Sequence, residues 1–194
     1  MGVAGSNPAS RTIPLPLQAP QQHIRMKYFA YGSNLSTARF KARLPRAQFI
    51  STATLTGHRL CFHKVSEDGS GKCDIVASND SGDLVHGVVY EIDQTERLIL
   101  DEIEGAGTGY DPIEISVTNA GGQITDAFSY QASITDSAKL PYSWYHAFVL
   151  AGAKEHGFPE DYVASIEAIE TIPDPDSDRC RMNQQVLIEM PYSE

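Results

Sequence analysis

Apolar and polar positions show no regular spacing up to about residue 25 and then fall into short, dense runs. Tyr28 to Tyr31 read as a strand, Gly32-Ser33-Asn34 as a turn, and "STARFKARL" behind them as a helix that starts at once. "AQFISTATLTG" and "HRLCFHKV" read as strands from their Thr, Phe, Ile and Leu content. "GSGK" is a turn and "CDIVAS" a short strand, while the mostly apolar "DLVHGVVYEI" predicts a longer strand buried on both faces. Asp93, with Glu96 three residues later, makes a capping-box start for a helix over "DQTERLILDEIEG" that Gly105 stops. Two alternating runs about Gly121-Gly122, "DPIEISVTNAGGQITDAFSYQAS", predict a hairpin. A long helix follows from about Tyr142 to Glu155, stopped by Gly157, and a shorter one from Pro159 to about Ile169. The proline-broken remainder carries "QQVLIEM", which reads as a last strand or as irregular tail. Strands first, helices inserted, and two helices late imply an α+β fold around a small, curved or barrel-like mixed sheet with flanking helices.

At 194 residues the chain supports one well-buried core, so a single domain over residues 26–194 is expected, with an irregular C-terminal tail. Residues 1–25 hold four prolines and no aromatic residue, and they read as a disordered extension. Met26 stands just before the first strand and is the expected translation start. No apolar run approaches the roughly 20 residues of a membrane span. Three cysteines, Cys61, Cys73 and Cys180, are widely spaced and outside any CxxC pattern, which argues against a disulfide scaffold or structural zinc and for the cytosol.

The formal charge is −10, yet no Asp or Glu precedes Glu67, and nine Lys or Arg do. Such an asymmetry either steers an acidic small molecule toward the first third of the chain or is solvated surface. Nucleic acid is a poor partner for an acidic chain that lacks a basic, aromatic-interleaved run.

Candidate chemistry concentrates at a few positions. On the helix after Asp93 the expected buried stripe is Ile99, Leu100 and Ile103, which puts Glu104 at its margin, about 40° round from Leu100. Partial burial and the negative end of the helix dipole both act against its charge, so Glu104 is placed to take and return a proton. The N–H groups at the helix start after Gly32 can bind a carboxylate or an oxyanion, or can be capped by Ser33 or Asn34. Tyr110, closing the glycine-rich "GAGTGY", and Tyr145, on the late helix, each read as packing or as hydrogen-bonding site residues. A hydrolase built on Ser33 with His58, His63 or His86 lacks the G-x-S-x-G surround. The histidines show no metal-ligand spacing, so no metal is expected, and "GSGK" is too short for a phosphate-binding loop.

"YFAYGSNL" and, some seventy residues on, "LDEIEG" together resemble the γ-glutamylcyclotransferase family, and "YHAFVLAGAKEHGFPEDY" resembles its branch acting on γ-glutamyl amino acids. The resemblance runs from Met26 to about Ile169. It implies a small mixed barrel-like fold, no cofactor, and cyclisation of a γ-glutamyl group to 5-oxoproline; a cytoplasmic monomer or homodimer is expected. It further implies Glu104 as general base and acid, with Tyr28, Phe29, Ala30, Tyr31, Gly32, Ser33, Tyr110 and Tyr145 binding the substrate, and the N–H groups of the turn add Asn34 to the expected binding residues. The same cyclisation of a γ-glutamyl amine or a glutathione-like peptide is the nearest alternative, and a non-catalytic binding module of the same fold is another.

Overall fold

The computed structural model describes residues 1–2 and 24–188. Nearly all of the expected N-terminal extension, and the last six residues of the expected C-terminal tail, therefore lie outside the described residues. In chain order the elements are β1 (Arg25–Ala30), a 3-10 turn (Ser33–Leu35), α1 (Thr37–Arg43), β2 (Gln48–Thr56), β3 (His58–Val65), β4 (Gly71–Ala77), β5 (Leu84–Asp93), α2 (Gln94–Glu104), β6 (Tyr110–Asn119), β7 (Ile124–Ala132), α3 (Ser143–Glu155), α4 (Glu160–Glu167) and α5 (Ser177–Ile188). No described helix is long and apolar enough to cross a membrane.

Five strands close a barrel in the order β1-β5-β2-β6-β7, and β3 and β4 form a separate two-stranded sheet. Neighbours in the barrel are antiparallel except at the seam, where β1 runs parallel to β7 with Tyr28 opposite Phe128. Ser129 Oγ donates to the Phe29 carbonyl at 2.8 Å across the same seam. Residues 87–90 of β5 are buried in succession, as expected for a strand covered on both sides. The smaller sheet is tied to the barrel by Asp74, which accepts from the Ala132 N–H at 2.8 Å, and by Gln131 Nε2, which donates to the Ile75 carbonyl at 3.0 Å.

The capping box at Asp93 forms: its carboxylate accepts from the Thr95 and Glu96 N–H groups, and Glu96 reaches back to the Asp93 N–H. Gly105 ends α2 in the left-handed region at φ 65°, a conformation that favours glycine. The expected apolar stripe is not what α2 buries. Ile99 and Ile103 are each 41% exposed, and the inward ridge runs through Glu96, Leu100 and Glu104. Glu96 can face inward because it accepts from the Arg46 N–H at 2.9 Å as well as capping its own helix. The C-terminal segment expected as strand or irregular tail is instead helical, forming α5.

The turn after β1 is held from behind by α3. A Cβ on Gly152 would lie 2.4 Å from the Leu35 Cβ and 2.6 Å from the Ser36 nitrogen, so the bare glycine lets the helix touch the backbone of the turn. Helix propensity favours alanine there by about 1 kcal/mol, but a contact with backbone atoms cannot be relieved by rotating a side chain. Gly152→Ala is expected to destabilise the fold by a net ~1–3 kcal/mol, read as a lower urea midpoint at unchanged slope. An unchanged or raised midpoint would show that the turn does not depend on this approach.

Candidate functional site

The abrupt break after β1 puts Gly32 and the 3-10 turn at one end of the barrel, where the C-terminus of α2 meets it. Ser36, not Ser33 or Asn34, caps α1, accepting from the Arg39 N–H at 3.3 Å. Asn34 is thereby left for another task. Its side-chain amide donates to Glu104 Oε1 at 3.0 Å and to the Tyr28 hydroxyl at 3.1 Å, and its oxygen accepts from Arg43 Nη1 at 2.8 Å. Arg43 also stands 3.7 Å from Glu104 Oε1, and the Glu104 side chain keeps 17% of its surface exposed. The guanidinium of Arg43 thus stands beside the Glu104 carboxylate as its counter-charge.

Beside this carboxylate lies a cavity whose walls include Tyr28 of β1, Tyr31, Gly32, Ser33 and Asn34 of the turn that follows, and Glu104 of α2. Tyr110 and Tyr145 complete it, together with Cys73 and Tyr130, which the sequence did not single out. Of the expected site residues only Phe29 and Ala30 stay out, both fully buried in the core. Gly32 serves packing as well as access: a Cβ there would meet the Cys73 Cβ at 3.1 Å and the Tyr145 hydroxyl at 3.3 Å.

The tyrosines are fixed by the backbone. Tyr110 donates to the Cys73 carbonyl at 2.6 Å, and the Cys73 N–H donates to the Tyr145 hydroxyl at 3.0 Å, so one residue of β4 joins β6 to α3. Tyr31 donates to the Tyr130 carbonyl, and the Tyr130 hydroxyl donates to Asp101 at 2.6 Å. Burial pushes all five phenols well above their ordinary pKa, with Glu104 adding to the rise at Tyr28, Tyr110 and Tyr145. Burial also pushes the Cys73 thiol up to about 12, so it is no thiolate nucleophile near neutral pH. The ring is a set of neutral hydroxyls, of which Tyr31, Tyr110 and Tyr130 already donate their one proton to the protein, whereas that of Tyr28 accepts from Asn34.

Glu104, Ser33, Tyr110 and Tyr145 also line a second, outer cavity, together with Arg39, Arg43, Lys64, Lys72 and Trp144. Three of its four cations, Arg39, Arg43 and Lys64, come from the acid-free first third of the chain. That stretch is therefore a lining in part, and not surface alone.

The serine-hydrolase arrangement does not form. His63 is engaged by Asp74 at 2.9 Å, His58 faces the Thr56 carbonyl, and His86 packs against Phe158 and Tyr162. Among the described residues no group of His, Cys, Asp and Glu could hold a metal ion. Cys61, Cys73 and Cys180 are free thiols, of which only Cys73 is fully buried.

A family model described as the AIG2-like family matches residues 84–166. The γ-glutamylcyclotransferase of Bos taurus is 37% identical over 148 residues, covering 74% of this chain and 78% of the relative. That of Mus musculus is 37% identical over 157 residues, covering 78% and 82%. A solved structure named gamma-glutamyl cyclotransferase superposes with a TM-score of 0.74 at 30% identity, over 84% of this chain and 99% of that one.

The raised phenol pKa values fix the direction of an alkaline effect. The folded protein keeps protons that the unfolded chain gives up near pH 10, so the stability these tyrosines contribute is full below about pH 10 and falls as pH rises beyond it. Absorbance near 295 nm is expected to show exposed tyrosines titrating first and the cavity tyrosines ionising only together with unfolding. Ionisation of all nine tyrosines before any loss of structure would contradict the closed ring.

Proposed function

This chain belongs to the γ-glutamylcyclotransferase family, and from that premise we propose that it cyclises γ-glutamyl amino acids to 5-oxoproline, with Glu104 moving the protons. The observation that carries this reading is the carboxylate held by Asn34 at the boundary of two cavities, one walled by neutral hydroxyls and the other by cations.

The α-nitrogen of the γ-glutamyl group attacks its own γ-carbonyl carbon, forming the lactam C–N bond, and the bond to the leaving amine then breaks. Across the reaction the substrate's ammonium gives up two protons and the leaving nitrogen gains two. A carboxylate beside both nitrogens takes a proton from the first and returns it to the second. Tyr28 is placed to assist: its hydroxyl accepts from Asn34, which leaves its own proton available for an oxygen of the substrate. The N–H groups of Ser33 and Asn34 open a helical turn, where helical geometry supplies no acceptor, and they serve either the tetrahedral oxyanion or the α-carboxylate. The enclosing tyrosines contribute position: a five-membered ring closes only when the chain is bent so that nitrogen meets carbonyl.

A panel of γ-glutamyl amino acids, γ-glutamyl amines and glutathione, scored by released 5-oxoproline, tests the assignment. Glu104→Gln keeps the size of the side chain and its bond with the Tyr28–Asn34–Arg43 group; a loss in kcat of about a hundredfold or more with the thermal midpoint preserved is expected. A wild-type protein that releases no 5-oxoproline from any member of the panel would refute the activity.

A further inference from the structure

The cations of the outer cavity are not equally engaged. Lys72 is held by Asp68 and by the Ser70 hydroxyl, each at 2.8 Å. Arg43 is taken up by Asn34 and Glu104. Arg39 lies over the Trp144 and Phe148 rings and gives one nitrogen to Asn183 at 3.0 Å, while its buried Nε has no partner among the described residues. Lys64 is the least provided for: the residue is only 8% exposed, and among the described residues it has no carboxylate within salt-bridge distance and no hydrogen bond from its ammonium. Its Nζ instead lies 4.7 Å from the centre of the Tyr110 ring, in the wall shared with the inner cavity, and close to where a Cβ on Gly109 would be. Burial draws the Lys64 pKa down, and the carboxylates of Glu104, Asp68 and Glu67, all beyond salt-bridge distance, partly offset that. An ammonium set in a cavity wall with no carboxylate in contact is a ready partner for an anion that arrives with the ligand.

The chemistry supplies one. If Glu104 protonates the departing nitrogen, that nitrogen lies at the boundary between the two cavities. An amino acid leaving group carries its carboxylate on the carbon attached to that nitrogen, on the outer side. We propose that Lys64 is the subsite for the leaving group's carboxylate and selects γ-glutamyl amino acids over compounds in which that carboxylate is missing or neutralised. This rests on the cyclotransferase reading above and assigns its specificity. A glutathione-like peptide has an amide where the subsite needs a charge, and a γ-glutamyl amine has nothing there.

The test compares γ-glutamyl-L-alanine with γ-glutamyl-L-alaninamide, which differ only in that carboxylate. Wild type is expected to favour the acid in kcat/KM by roughly ten- to a hundredfold, the worth of one charge-assisted hydrogen bond. Lys64→Gln is expected to raise KM for the acid with little change in kcat and to bring the two substrates close to parity, and Lys64→Arg to restore part of the preference. Equal use of acid and amide by wild type would overturn the subsite without touching the cyclotransferase reading, and it requires no variant to fold. Equal loss on both substrates in Lys64→Gln, with a shifted pH profile, would mean that Lys64 acts through Glu104 and would also overturn it. No product from either compound in wild type strikes the activity itself, and the subsite with it.

Discussion

The side-chain amide of Asn34 is the joint on which the site depends. It is buried, and both of its N–H groups and its oxygen are used, joining Tyr28 of β1, Arg43 of α1 and Glu104 of α2. Each such bond contributes only about 1 kcal/mol net, but losing the amide would leave several buried polar groups unpaired, at about 1–3 kcal/mol each. The position of the Glu104 carboxylate is therefore set by two helices and a barrel strand together. The other end of α2 is fixed independently by the capping box and by Glu96 on the Arg46 N–H, so the helix is held at both ends.

This joint lies where two electrostatic environments meet. Inward are phenols kept neutral by burial; outward are arginines and lysines, several of them pulled below their ordinary pKa by the same burial. A γ-glutamyl amino acid has a matching division, with the reacting nitrogen and carbonyl at one end and an anionic leaving group at the other. Fixed dipoles and charges in an enclosed site act more strongly than they would in water and need no rearrangement as the reaction proceeds.

What could be read from the sequence was mostly local. The strand–glycine–turn–helix order of "YFAYGSNLS", the capping box at Asp93 and the hairpin about Gly121-Gly122 are specified by neighbours a few residues apart, and the folded chain has them. Periodicity assigns the inward face of α2 to Ile99 and Ile103, whereas partnered carboxylates take it beside Leu100. The helix α5 gave no signal, because none of its residues is fully buried and no apolar stripe marks it. Cys73 and Tyr130 reach the cavity only through barrel closure and the docking of β4, pairings that connect residues far apart in sequence. Phe29 and Ala30 share the opening motif with Tyr28 and Tyr31, but the core claims them.

The abrupt break after β1 thus sets a carboxylate at the mouth of a hydroxyl-lined cavity, and the central claim is that a γ-glutamyl nitrogen meets that carboxylate there. A crystal structure of the Glu104→Gln variant with γ-glutamyl-L-alanine tests this most directly. The account predicts the α-nitrogen within hydrogen-bond reach of the side chain at position 104, with the γ-carbonyl between it and the outer cavity. A ligand bound with that nitrogen remote from position 104, or outside the tyrosine-lined cavity, would contradict it.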